Sequence, residues 1–140
     1  MLSSQHKEII KQSFPKVLIH TIKSGKMVYE KLFELAPETK ALFQNTSMER
    51  QGQMLVAAIG KIVKGLDHPE VLEKELIELG KRHKGYGLQP EYFVHFGNSL
   101  MYMLQNSLAD GWNAELEDAW RNVYQEVSEM MMKEIFTKPE

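Results

Sequence analysis

The 140-residue chain contains no cysteine, which excludes disulfides, iron–sulfur ligation, thiolate nucleophiles and thioether attachment of a cofactor. A reducing compartment suits such a chain. It also lacks any run of roughly 18 apolar residues, so no membrane span is expected. Its first residues, Met-Leu-Ser-Ser-Gln-His-Lys-Glu, carry no basic lead into an apolar segment, and a cytoplasmic location is the expectation. Neither sign of charge dominates. Seventeen Lys and Arg against 19 Asp and Glu leave a net charge of −2, which gives no general attraction for nucleic acid or an anionic membrane. No segment shows sustained alternation around a two-residue hairpin turn, and there are no internal repeats or low-complexity tracts.

Apolar residues recur instead at helical spacing, which predicts an all-α chain with residues 1–140 forming one domain. Ser3 or Ser4 caps a first helix carrying Ile9, Ile10 and Phe14, and Pro15 kinks or ends it. A second helix runs from about Lys23 to Ala36 with Ile22, Gly25, Tyr29, Leu32, Phe33 and Ala36 inward. Pro37 opens a short turn ending at Phe43. A helix from about Met48 to Lys64 follows, with Leu55, Ile59, Ile62, Val63 and Leu66 as its stripe. Asp67 and Pro69 start the next helix, which Gly85 and Gly87 terminate. Gln89-Pro90-Glu91 opens a helix with Phe93, Phe96, Gly97, Leu100 and Leu104 inward, and Asp110-Gly111 breaks it. The last helix spans about Asn113 to Phe136, with Leu116, Trp120, Val123, Tyr124 and Val127 inward. Thr137 to Glu140 should fray.

His83 and Tyr29 are the chemically informative positions. Leu72, Leu76, Leu79 and His83 lie at i, i+4, i+7 and i+11, so the imidazole points the way the leucines do. It is either a core histidine bonded to a backbone carbonyl or a ligand to an iron-centred cofactor in an apolar pocket. Tyr29 lies on an inward stripe, so its hydroxyl needs a partner, either a backbone carbonyl or a group in a site. His6, His20, His68 and His95 show no metal-ligand spacing.

Arg82-His83-Lys84-x-Tyr86-Gly87-Leu88-x-Pro90-Glu91 resembles the proximal-histidine segment of bacterial flavohaemoglobins and of related single-domain globins, including the Hell's Gate type. Ala119-Trp120-x-x-x-Tyr124 resembles their last-helix motif, and the similarity spans about Ile9 to Met132. The resemblance implies a globin fold, a three-over-three helical sandwich around haem b, with His83 as the metal ligand. It also implies that Phe43 packs on the haem, that Tyr29 is a distal residue, and that Gly25 crosses Gly52 closely. That crossing makes Gln51 the distal residue, with Leu55 one turn on; the alternative register places Gln53 there. Tyr86 and Phe93 complete the implied cofactor-binding set.

The implied function is reversible, high-affinity binding of dioxygen, with carbon monoxide and nitric oxide as further ligands. Two alternatives stand beside it. One is a nitric oxide dioxygenase or nitrite-handling enzyme supplied with electrons by a separate reductase, since no flavin or nicotinamide region is present in the chain. The other is a haem-based gas sensor. The flavohaemoglobin pattern places a tyrosine and a glutamate on the proximal side at positions that here read Phe93 and Ile135. Tyr92 and Glu134 are each one residue away, about 100° around a helix, and do not substitute for them.

Overall fold

In a computed structural model, residues 2–136 are described, and the expectation for Thr137 to Glu140 lies outside them. The described chain forms six α-helices: α1 (Ser4–Leu18), α2 (Thr21–Leu35), α3 (Met48–Gly65), α4 (Pro69–His83), α5 (Pro90–Leu108) and α6 (Ala114–Phe136). Pro37–Phe43 and Ala109–Gly111 are short 3-10 segments, and no strand occurs among the described residues. The all-α expectation holds. Helix α3 adjoins α1 and α4 in one layer and α5 adjoins α2 and α6 in the other, with α2 on α3, α4 on α6, and α1 on both α5 and α6 across the interface.

The helix ends follow from local chemistry. Ser3 Oγ accepts from the His6 N–H at 3.0 Å, Ser47 Oγ from Arg50 N–H at 3.3 Å, and Asn113 Oδ1 from Leu116 N–H at 2.9 Å. Pro37, Pro69 and Pro90 stand in first turns, where a missing N–H leaves no gap in the helical ladder. Two boundary expectations are corrected. Of the two outcomes expected of Pro15, a kink or an end, the second does not occur: α1 continues to Leu18, and Val17 beyond the proline is fully buried. Asp67 does not cap α4; its carboxylate accepts from Lys11 Nζ at 2.6 Å, tying α1 to the α3–α4 turn.

The core joins Ile10, Phe14 and Val17 of α1 to Val28 of α2, Val56, Ile59 and Val63 of α3, Leu100, Met103 and Leu104 of α5, and Trp120 and Val123 of α6. Trp120 is buried, and its indole N–H donates to Ser13 Oγ at 3.0 Å, so the largest core side chain leaves no orphan donor. Two stripe assignments shift. Ile22 is 52% exposed, since it lies in the first turn of α2, ahead of the buried Ser24, Gly25 and Val28. On α3, Val56 is fully buried whereas Leu55 and Ile62 are only partly buried, which rotates the inward face toward Gly52 and Val56.

Candidate functional site

Helices α2 and α3 cross at two glycines. A Cβ on Gly25 would stand 2.4 Å from the Gly52 carbonyl carbon and oxygen, and one on Gly52 would stand 2.9 Å from the Gly25 carbonyl carbon. Only residues without side chains permit backbones to approach so closely. The crossing has a chemical consequence one turn further along α2 and one residue earlier on α3: Gln51 Nε2 donates to Tyr29 Oη at 3.1 Å. Gln53, the alternative on the same helix, is exposed.

Tyr29 is 5% exposed, and burial pushes its phenol above the usual tyrosine range while the Gln51 bond pulls it partly back. The hydroxyl therefore keeps its proton at neutral pH. Because Oη accepts from Gln51, that proton is available to a further acceptor; with the amide turned over, Tyr29 would donate to Gln51 and the amide N–H groups would be available instead. Either way the pair offers a hydrogen-bond donor. Around it stand Phe43, with its ring centroid 5.3 Å from that of Tyr29, Phe96 at 6.2 Å and Phe33 at 6.3 Å. Phe33, Phe43 and Phe96 are all only partly buried, as is Leu55 one turn along from Gln51.

His83 ends α4 and is half-buried. Its Nδ1 lies 2.7 Å from the Leu79 carbonyl oxygen, which can only accept, so Nδ1 carries a hydrogen and Nε2 is the nitrogen whose lone pair could bind a metal. The carbonyl partner considered for a core histidine is therefore present, and it leaves Nε2 without a hydrogen-bond partner among the described residues. Gly85 at φ 91° and Gly87 at φ 79° then turn the chain out of the helix through backbone regions that favour glycine. Between them Tyr86 is 61% exposed, its ring 5.8 Å from that of His83.

Tyr124 adds a link that spacing alone did not assign. Its hydroxyl donates to the Phe93 carbonyl in the first turn of α5, its ring stacks on Phe96, and burial pushes its phenol well above the usual range. Gly97 makes room for it, since a Cβ there would stand 2.6 Å from the Tyr124 ring. Phe93 itself is half-buried and meets Phe136 at 6.3 Å between centroids. Glu134 does not approach His83 as a hydrogen-bond partner; its side chain lies over Gly80, where a Cβ would stand 2.8 Å from Glu134 Cβ.

The donor set suits haem. An imidazole oriented by the Leu79 carbonyl, partly uncovered apolar side chains, and a separate hydrogen-bond donor pair are what a non-covalently held iron porphyrin requires. Residues 26–131 match the Globin family, and the chain belongs to it. It is 33% identical to neuroglobin of Tetraodon nigroviridis over 94% of this chain and 91% of that one. It is 26% identical to a flavohemoprotein of Rhizobium meliloti (strain 1021) over 94% of this chain, covering 33% of the larger protein. The crystal structure of a hexacoordinated heme protein from an anhydrobiotic tardigrade superposes with a TM-score of 0.86 over 96% of both chains at 22% identity, a likeness of fold. Family membership implies a haem cofactor and gaseous ligands such as dioxygen.

Proposed function

We propose that the chain is a haem b-binding globin that reversibly holds dioxygen with high affinity, and that it is a cytoplasmic single-domain member akin to the bacterial Hell's Gate type. The observation that carries this reading is the Gln51 to Tyr29 hydrogen bond, placed by the Gly25 and Gly52 crossing. Haem, when bound, would supply an iron able to take up a diatomic gas. His83 Nε2 would be the metal ligand, with the ring oriented by the Leu79 carbonyl. Phe43, Leu55, Tyr86 and Phe93 would hold the porphyrin by apolar contact. Tyr29 and Gln51 direct their donors at a ligand bearing partial negative charge, in surroundings from which Phe43 and Leu55 exclude water. Dioxygen bears more such charge than carbon monoxide, so the pair favours retention of dioxygen, with carbon monoxide and nitric oxide as further ligands.

If the Gln51 amide contributes about 1–2 kcal/mol, Gln51→Leu should speed dioxygen release by roughly fivefold to thirtyfold, while Gln53→Leu leaves it within about twofold. Stopped-flow dissociation of the two variants checks this. The reverse ranking would place Gln53, not Gln51, over the site.

The similarity to a flavohemoprotein favours a second reading, oxidation of nitric oxide or handling of nitrite with electrons from a reductase outside residues 1–140. Nitric oxide consumption with an added reductase, compared with the dioxygen release rate, separates a turning-over enzyme from a tight carrier.

A further inference from the structure

The corner between α1 and α2 leaves three aliphatic side chains uncovered within five positions. Leu18 is 52% exposed, Ile19 73% and Ile22 52%. Isolated exposed aliphatics are ordinary, whereas three adjoining ones on a projecting corner form apolar surface that a partner can cover. Several polar groups of this corner are paired within it, although His20 supplies no side-chain cap to the first turn of α2. Ile19 N–H donates to the Pro15 carbonyl at 3.1 Å, His20 N–H to that of Val17 at 3.2 Å, the Thr21 hydroxyl to that of Leu18 at 2.6 Å, and the Ser24 hydroxyl to that of Val17 at 3.2 Å. A corner so bonded can leave water without stranding these donors and acceptors, the condition that a hydrocarbon environment imposes.

Charge completes the pattern. From Ile9 to Tyr29 the chain has no acidic residue and four lysines, Lys11, Lys16, Lys23 and Lys26, although the whole chain carries −2. Lys11 is engaged by Asp67, and Lys26 makes a long, exposed contact to Glu30 at 3.8 Å. Lys16 borders a shallow groove shared with Glu115, and Lys23 forms no ion pair among the described residues. A local cluster acts over about 10 Å before salt screens it, so the overall balance of the protein does not cancel it.

We propose that the α1–α2 corner docks on an anionic phospholipid surface, with Leu18, Ile19 and Ile22 entering the boundary between headgroups and acyl chains and Lys16, Lys23 and Lys26 meeting the lipid anions. Aliphatic residues flanked by lysines suit that interface. A protein partner would favour tyrosine, tryptophan or arginine anchors, and residues 9–24 contain none.

Co-sedimentation of the full chain with vesicles made of equal parts phosphatidylcholine and phosphatidylserine, or of phosphatidylcholine alone, tests the proposal. Binding should require phosphatidylserine and weaken in high salt. Lys23→Glu should lower the partition coefficient about thirtyfold, from the change of two charges at the surface. Ile19→Ser should lower it about tenfold. Both side chains are exposed, so thermal melts of the variants should overlay that of the parent. Sedimentation with neither vesicle would overturn the proposal. Equal binding to both vesicle types, or variants that bind like the parent, would overturn it as well.

Discussion

Gly25→Ala should lower the melting temperature by roughly 6–8 °C or more, although alanine is the better helix former by about 1 kcal/mol. The added Cβ would stand 2.4 Å from the Gly52 backbone, which cannot rotate out of the way as a side chain can. Forcing two helices apart at such a contact costs about 3 kcal/mol or more, which outweighs the gain in propensity. Gly60→Ala supplies the contrast. Its Cβ would meet only the edge of the Phe14 ring, at 3.4 Å, so the propensity gain should stand and stability should hold or rise. Thermal melts of both variants check the pair. Equal stability of Gly25→Ala and its parent would mean that the α2–α3 crossing is not as tight as described. The same crossing sets the Gln51 to Tyr29 distance, so a destabilised Gly25→Ala should also release dioxygen faster.

Tyr29→Phe should accelerate dioxygen dissociation by roughly tenfold to a hundredfold, the equivalent of losing about 1.4–2.7 kcal/mol from one buried hydrogen bond. The substitution keeps the ring, and with it the contacts to Phe33, Phe43 and Phe96, while removing the hydroxyl that accepts from the Gln51 side-chain amide. Carbon monoxide carries less charge, and its release should change far less. A steric change would move both ligands together. Dissociation rates for each gas in parent and variant decide between them, and comparable shifts would reject Tyr29 as the stabilising donor.

Helical period and proline placement make most of the architecture legible in the sequence. The all-α class and six long helices follow from apolar spacing, and the close approach of Gly25 and Gly52, which only the family resemblance implies, is present in the fold. Periodicity was weakest where an element ends. Ile22 has the spacing of a core residue but lies in the first turn of α2 with nothing over it, and Asp67 has the chemistry of a cap but is held by Lys11 across the fold. Neither competitor is local in sequence. The hydrogen bond from His83 to Leu79 joins residues four apart on one helix, so the helical repeat makes it readable. Helical spacing places Phe33, Phe96 and Tyr124 inward, but the bond from Tyr124 to the Phe93 carbonyl is not readable from it, because that bond spans two helices and depends on the space left by Gly97. Exposure of the α1–α2 corner is likewise a tertiary fact. The net charge of −2 concealed the acid-free stretch from Ile9 to Tyr29 that lies there.

Haem titration of the protein and of His83→Ala, followed by visible absorption in air and after reduction, tests the central assignment most directly. The parent should bind one haem b per chain, with an absorption spectrum that changes on reduction and again on adding dioxygen or carbon monoxide. His83→Ala should lose normal haem retention, because no other described side chain presents an imidazole held by a carbonyl one turn back on α4. Equal stoichiometry and identical reduced spectra for the two proteins would contradict His83 as the iron ligand.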